Sequence, residues 1–255
     1  MRVLKIVNVL ILSLFFSCSL LKKEKGEETF SLLTTSQTYN LADKSGEFEF
    51  VTHSNFLKSK NRLISKYQVR TKDKEAKVLE QAVMISNPGR VKDITLTRPE
   101  ISQYSVWFEG KKYFSEIKFN IKSKTLDIKL SSPEKQWNGE SSVALPKDGV
   151  LFCYLGQLVE CAAQTGFIKK SLKAQAGTMN FYLILEGYPY FQEQYLGVQN
   201  TPILPASFVY DGTNAKGEKR FSLNFSGQSI FYFINDKMTM SKKFWVSQGL
   251  NVTTN

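Results

Sequence analysis

Apolar and polar residues alternate along most of the chain from Glu47 onwards. Phe48 and Phe50 alternate with Glu47 and Glu49. A period of two is typical of a strand with one buried face. The next segment repeats it, with one face made of Leu63, Ser65, Tyr67 and Val69. Residues 78–85 are more continuously apolar, which predicts a strand buried on both sides.

Proline and glycine mark the predicted ends of these strands. Asn87-Pro88-Gly89 predicts a turn, and Pro99 predicts the end of the strand that follows it. Between Tyr104 and Leu130 three alternating runs are separated by two lysine-bearing turns, at 109–112 and 122–124. This region is therefore predicted to be a three-stranded antiparallel meander with one apolar and one lysine-rich face.

One segment has helical rather than strand periodicity. Over Val150–Lys170 apolar residues recur at helical spacing, and they are Phe152, Leu155, Leu158, Val159 and Ala162. Asp148 is the predicted cap and Gly166 the predicted end of this helix.

Strand patterns resume after the helix. They cover the ranges 179–185, 207–210, 221–225, 230–234 and 244–246. With the earlier segments this makes about ten to twelve strands and one helix near 150–170. The predicted fold is mainly β: a curved antiparallel sheet, as a half-barrel with the helix on its concave side or as a sandwich.

The first twenty residues follow a different pattern. Arg2 and Lys5 precede an apolar run over 6–16, which ends at Phe15-Phe16-Ser17-Cys18. This layout resembles bacterial lipoprotein signals that are cleaved before a lipidated cysteine. Ser17 and Cys18 match that pattern, whereas Phe15 and Phe16 depart from it. An ordinary secretory signal and an uncleaved anchor are the alternatives.

The resemblance implies an address and a domain organisation. Residues 1–17 would be a signal peptide, 18–41 a lipidated Cys18 with a flexible tether, and 42–255 a single β-rich domain. Ser19 after the cysteine favours the outer membrane, facing the periplasm or the cell surface. The membrane would be one partner, through the lipid on Cys18.

Charge narrows the possible partners. The chain has 255 residues and a formal charge of +11, which falls to +9 when Arg2 and Lys5 leave with the signal. A basic exported domain suits anionic surfaces, although a merely solvated surface is the more ordinary interpretation. Export argues against a nucleic-acid partner.

Two cysteines remain after lipidation, Cys153 and Cys161. In one continuous helix they would lie about 12 Å apart, too far for a disulfide. A bridge therefore needs a helix break or a hairpin, for which Gly156 is the candidate. Two buried thiols are the alternative.

Catalytic and metal chemistry has little support. His53 is the single histidine, so neither a histidine-based metal site nor a Ser-His-Asp triad has enough members. We expect no cofactor, no metal and no catalytic residue. Two acids that flank an aromatic segment, Glu186 and Glu193, are a candidate pair for polysaccharide hydrolysis, although scattered glutamates are usually solvated.

That aromatic segment is the candidate ligand site. Its members, with one tryptophan from the last strand, are Tyr188, Tyr190, Phe191, Tyr195 and Trp245. Such rings suit an acyl chain or a sugar, and packing at the end of the sheet is the alternative.

Three functions follow, in order of preference. The first is a non-catalytic, membrane-anchored domain that binds an amphiphile: a lipid, glycolipid or acyl chain. The second is a structural subunit that docks on an envelope protein complex or the cell surface. The third is an enzyme acting on envelope polysaccharide.

Overall fold

The alternating pattern forms one large sheet. In the computed structural model of the chain, residues 35–43, 46–57, 62–91, 94–190 and 200–254 are described. Fifteen strands in these ranges are joined by hydrogen bonds. They are β1 (Thr35–Asp43), β2 (Gly46–Leu57), β3 (Arg62–Thr71), β4 (Val78–Val91), β5 (Ile94–Phe108), β6 (Lys111–Asn120), β7 (Thr125–Ser131), β8 (Gly139–Ala144), β9 (Phe152–Tyr154), β10 (Thr178–Ile184), β11 (Ile203–Thr213), β12 (Lys219–Phe225), β13 (Gln228–Ile234), β14 (Met240–Trp245) and β15 (Leu250–Thr254). The fold is mainly β, as predicted, with more strands than expected.

Strand order follows the chain closely. β8 to β1 lie side by side in order, β1 pairs with β15, and the order then descends to β9. At the junction Leu41 lies opposite Val252. Neighbouring strands are antiparallel apart from β9 and β10, which run parallel. The predicted antiparallel curved sheet is confirmed.

The sheet curls so that its two ends approach each other. Phe152 of β9 lies with its ring centroid 5.1 Å from that of Phe119 on β6. The hydroxyl of Ser115, also on β6, donates a hydrogen bond of 2.7 Å to the carbonyl of Tyr188. The chain around β9 therefore lies against the inner face of the first half of the sheet.

Burial alternates as the sequence pattern predicts. On β3 the buried residues are Leu63, Ser65, Tyr67 and Val69. The meander over β5, β6 and β7 is also confirmed, and Ile117 and Leu126 on its inner face are fully buried. The two-sided burial predicted for 78–85 is wrong. There Ala82 and Met84 are buried while their neighbours are partly exposed, so β4 also has one buried face.

The two proline signals did not end strands. β4 runs through Pro88, which lies opposite Thr97 of β5 and beyond Ser86, where the pairing of β4 with β3 ends. Proline is tolerated where a strand has a neighbour on one side only. β5 runs through Pro99, which lies opposite Ser86 at a register shift between Ile85 and Ser86. Such a bulge accommodates proline within a sheet.

The predicted helix over Val150–Lys170 is only partly correct. Phe152–Tyr154 is strand β9, and a short 3-10 turn at Leu155–Gln157 leads into helix α1 (Leu158–Gln164). A second helix, α2 (Phe167–Ala174), follows Gly166, whose φ of 75° breaks the two apart. Buried residues of both helices, among them Leu158 and Ile168, pack on the concave face of β10 to β13. The strand residues in the same cluster include Leu183, Phe208 and Phe221.

The predicted tether also needs revision. Strand β1 begins at Thr35, so residues 35–41 belong to the sheet and not to a tether that ends at 41. The signal peptide, Cys18 and the rest of the tether lie outside the described residues. Within the described part, no helix is long and apolar enough to span a membrane.

Candidate functional site

The predicted aromatic site is divided between two parts of the core. Tyr190 is only 1% exposed, and its ring lies edge-on to Tyr113 and Trp137 at centroid distances of 5.4 and 6.0 Å. Its hydroxyl donates to the carbonyl of Trp137 at 3.1 Å. Burial raises the pKa of Tyr190 to about 12. This residue is therefore a packed core tyrosine.

Trp245 lies elsewhere. Its ring packs 5.8 Å from Phe225 in the cluster that contains α1 and α2, and its indole N–H donates to Gln228. Tyr188 is partly buried and contacts both clusters. Phe191 and Tyr195 lie outside the described residues. The described members of the set do not line a common pocket, so packing is the better interpretation for them.

The two cysteines are joined by a disulfide in the structure. Cys153 on β9 and Cys161 on α1 have Cα atoms 6.1 Å apart. The strand and 3-10 turn that precede α1 supply the chain reversal that such a bridge requires. The bridge closes the segment that contains Gly156 and Gln157.

This bridged segment reaches the inner face of β4. Gln157 accepts a hydrogen bond from the Ser86 hydroxyl at 2.7 Å and donates to the Met84 carbonyl at 2.9 Å. Both polar side chains are buried, so the network fixes the segment against the sheet. Gly156 is thereby placed beside Glu186, and its N–H donates to Glu186 Oε1 at 3.0 Å. A Cβ at position 156 would lie 2.8 Å from that oxygen, which explains the glycine.

Glu186 is the most unusual side chain of the interior. It lies in the turn after β10, two residues past Ile184, and is 3% exposed. Its second oxygen, Oε2, has no hydrogen-bond partner among the described residues. Burial, with a smaller contribution from the nearby charge of Glu80, raises the pKa of Glu186 to about 7.

Two more charged groups face it from the sheet. Glu80 on the inner face of β4 accepts a hydrogen bond of 2.8 Å from the Tyr67 hydroxyl. Burial raises the pKa of Glu80, partly offset by that hydrogen bond and by Lys243. Burial lowers the pKa of Lys243, although both carboxylates act in the opposite direction.

Lys243 does not form a close ion pair with either acid. Among the described residues, no salt bridge within 4.0 Å joins it to Glu80 or Glu186. Its ammonium instead lies 5.3 Å from the ring centroid of Phe50. We refer to Glu80, Glu186 and Lys243 as the interior charged cluster.

An apolar wall adjoins this cluster where the first and last strands pair. Val69 and Val252 are buried there, and four partly exposed residues pack on them: Phe48, Phe50, Met240 and Leu250. Phe50 connects the wall to the cluster, since its ring also lies 5.3 Å from that of Tyr67. We call these six residues the seam wall. Together the wall and the cluster give this part of the interior an apolar and a charged region.

Sequence reasoning missed most of this site. Glu186 was singled out only as half of a pair with Glu193, which lies outside the described residues. Glu80 and Lys243 were not singled out, although a signal exists. Lys243 is two positions before buried Trp245 and Glu80 two before buried Ala82, so strand alternation places both charges on the inner face.

Other candidate sites are weaker. An open groove of ≈ 780 Å³ runs beside β10 and α2, but its Tyr182 hydroxyl already donates to Asp148. His53 lies within strand β2. No group of three or more His, Cys, Asp or Glu side chains in the described ranges is placed to hold a metal ion.

Comparisons with known proteins include a distant structural similarity. No family model matches the chain, and no curated protein matches it. A crystal structure from Brucella abortus, of a beta-barrel-like protein of the domain of unknown function DUF1849, is 10% identical with a TM-score of 0.45. The match covers 86% of this chain and 94% of that one. At this TM-score the similarity carries no argument about function.

Proposed function

We propose that the domain binds an amphiphile inside the curled sheet, without catalysing a reaction. The apolar chain of the ligand rests on the seam wall, and its polar head lies at the interior charged cluster. The observation that carries this proposal is the position of the cluster: the buried Glu186 and the partly buried Glu80 and Lys243 lie beside an apolar wall whose rings keep accessible surface.

The energetics favour a ligand over a purely structural role. Charged groups in a protein interior destabilise the fold unless they are paired and hydrogen-bonded. Here Glu186 leaves one oxygen unpartnered, and Lys243 lies beyond 4 Å from both acids. A polar head group supplies the missing partners, while each methylene buried on the wall adds about 0.8 kcal/mol.

The proposal includes an address. By its signal the chain is an envelope lipoprotein anchored through Cys18, and an anchored domain lies next to a supply of amphiphiles. A Cys18→Ala change is expected to shift the protein out of the membrane fraction. Full retention in that fraction would instead favour an uncleaved anchor over residues 6–16.

Binding can be tested directly on the full-length chain. We would keep it soluble in an amphipathic polymer, record native mass spectra, and titrate it with octanol, which stays monomeric at useful concentrations. The Phe50→Gln variant makes the seam wall polar, whereas Phe244→Gln alters an exposed ring on the outer side of the same sheet. We expect binding by the unmodified chain and by Phe244→Gln, and a loss of about tenfold or more for Phe50→Gln. If the unmodified chain carries no amphiphile and binds no octanol, the proposal is wrong.

One observation favours the docking alternative. On the outer face of β12 to β14, Arg220 lies 5.4 Å from the ring of Phe231, and Lys242 lies 5.4 Å from that of Phe233. Exposed Phe244 continues this patch of rings and cations. Crosslinking in cells tests this alternative. A reproducible protein partner lost in Phe244→Ala but not in Phe50→Gln would support it, and its absence would count against it.

A further inference from the structure

From the interior charged cluster we infer the charge of the ligand's head group, an inference that rests on the proposed binding function. We propose that the head group carries an ammonium or a similar N–H cation, which donates to Glu186 with Glu80 close by. The ligand would then be a cationic amphiphile, or a zwitterionic one with its cationic nitrogen at this position.

The first argument is the unpartnered oxygen. Gly156 satisfies Glu186 Oε1, while Oε2 has no partner among the described residues. Above its pKa of about 7 the Glu186 carboxylate is ionised and only accepts hydrogen bonds, so the missing partner of Oε2 there is a donor. A cationic donor fits best, because charge-assisted hydrogen bonds are roughly twice as strong as neutral ones.

The second argument is the balance of charge. Two carboxylates face one ammonium, and that ammonium lies over the Phe50 ring beyond 4 Å from both acids. The excess is negative whenever Glu186 is ionised. This negative charge affects the surrounding tyrosines, because the charge of Glu186 helps to raise the pKa of Tyr67, Tyr154 and Tyr232.

The competing possibility is an anionic head bound by Lys243. Such a head would have to enter beside Glu80 and Glu186, both of which repel it. The two acids also act on Lys243 and raise its pKa, although burial lowers that pKa overall. The geometry therefore favours a cation, and the experiment below includes the anion as an explicit competitor.

Proton linkage provides an independent signature. Glu186 titrates at about pH 7, and the groups that face it are Glu80 on β4, Lys243 on β14, Tyr67 on β3, Tyr154 on β9 and Tyr232 on β13. An ammonium favours the ionised form of Glu186, so its binding at pH 6 expels the proton. A neutral head group with the same chain has no reason to do so.

The experiment compares three probes of equal chain length: octylammonium, octanol and octanoate. Each is titrated calorimetrically into the full-length chain at pH 6 and pH 8, in buffers of different ionisation enthalpy. We expect octylammonium to bind about tenfold or more tighter than octanol, and octanoate to bind weakest. Octylammonium alone is expected to release a proton at pH 6 and to tighten towards pH 8.

Variants assign the effect to a residue. In Glu186→Gln, the affinity for octylammonium is expected to fall to within about twofold of the affinity for octanol measured on the same variant. A cooperative thermal unfolding transition shows that the variant is folded. Glu80→Gln should weaken the binding of octylammonium less than Glu186→Gln does. Glu116→Gln, on the outer face of β6, is the matched control and should change nothing.

Each failure has its own meaning. Equal binding of octanol and octylammonium, or an octylammonium preference that survives in Glu186→Gln, overturns this inference but leaves amphiphile binding in place. Preference for octanoate that is lost in Lys243→Met overturns it in favour of an anionic head. If none of the three probes binds, the proposed function itself is wrong and the inference fails with it.

Discussion

The inner face of the sheet differs between its two halves and the seam that joins them. Along β10 to β13, helices α1 and α2 cover the face, and residues such as Phe208 and Leu223 are fully buried. Along β4 to β7 the bridged segment and Tyr190 have the same role. At the seam of β14, β15, β1 and β2, Val252 is buried, yet the rings beside it keep accessible surface.

This difference in packing suggests different roles: the filled halves stabilise the fold, and the seam is the proposed binding site. The filled halves supply most of the apolar burial that stabilises the domain. The seam wall is less covered and lies beside the interior charged cluster, whose charges lower stability there. Natural proteins tolerate such a local cost where a ligand compensates for it, so the seam is where we place function.

The largest expected contrast comes from a matched pair of substitutions. Phe208 is 0% exposed and stacks on Phe221 at 5.2 Å, so Phe208→Ala leaves a cavity and should cost about 3–5 kcal/mol of unfolding free energy. Phe50→Ala, on the partly open wall, should cost only about 1 kcal/mol. Urea unfolding of both variants measures this.

Binding should respond in the opposite order. Phe50→Ala is expected to weaken octanol binding severalfold, and folded Phe208→Ala to bind it nearly as well as the unmodified chain. Equal losses of stability at the two positions would show that the seam is packed like the rest of the core. The proposed difference between the seam and the filled halves would then be wrong.

The filled halves are also the part that the sequence predicts well. Strong alternation in β3, β6 and β12 needs only local information, because one face of each is buried along its length. Strands β1 and β15 were missed because their segments are polar, with Thr-Ser-Gln-Thr at the start of β1. Their pairing joins the two ends of the domain, which no local pattern records.

The candidate site was harder to predict for a related reason. Glu80, Glu186 and Lys243 come from distant parts of the chain, and only the curl of the sheet brings them together. The aromatic segment was visible in the sequence, but Tyr190 is used for packing. The pattern of residues 152–154 fits a helix or a strand, because three apolar residues are too few to distinguish the two periods. Pairing with β10 makes this segment a strand.

The second prediction concerns the pH dependence of stability. The pKa of Glu186 is about 7 in the folded chain against an ordinary value of 4.5. Between these values the folded state binds more protons than the unfolded state, so this group lowers stability as pH rises from 4.5 to 7. Glu186→Gln removes that loss, and the variant should be more stable by up to about 3 kcal/mol at pH 8, with no gain near pH 4.

A control with the opposite sign is available. Bonds from Lys118 and Gln103 lower the pKa of Glu116, so Glu116→Gln should be slightly less stable at pH 8 and unchanged at low pH. Thermal unfolding across pH 4 to 8 compares the two variants. A Glu186→Gln variant that is destabilised at pH 8 would mean that its carboxylate is well compensated in the free protein.

The third prediction tests how the bridged segment supports the site. Replacing Cys153 and Cys161 by serine opens a short loop, which should cost about 2–3 kcal/mol. The change also loosens Gly156, so octylammonium should lose more affinity than octanol. Calorimetry on the double variant measures both. Equal losses for the two probes would separate the bridge from the head-group site.

The smallest effect is a comparison of two tyrosine hydroxyls. Tyr67 donates to the partly buried Glu80 at 2.8 Å, and Tyr113 donates to Glu134 at 2.6 Å near the surface. Tyr67→Phe leaves the inward-facing carboxylate of Glu80 with one donor fewer, so it should cost about 1–2 kcal/mol, whereas water can replace the hydroxyl in Tyr113→Phe. Tyr67→Phe should also raise the pKa of Glu80 further, since that hydrogen bond now lowers it. Urea unfolding at pH 7 distinguishes the two, and a larger loss for Tyr113→Phe would show that Glu80 is reached by water and that the cluster is less buried than its contacts indicate.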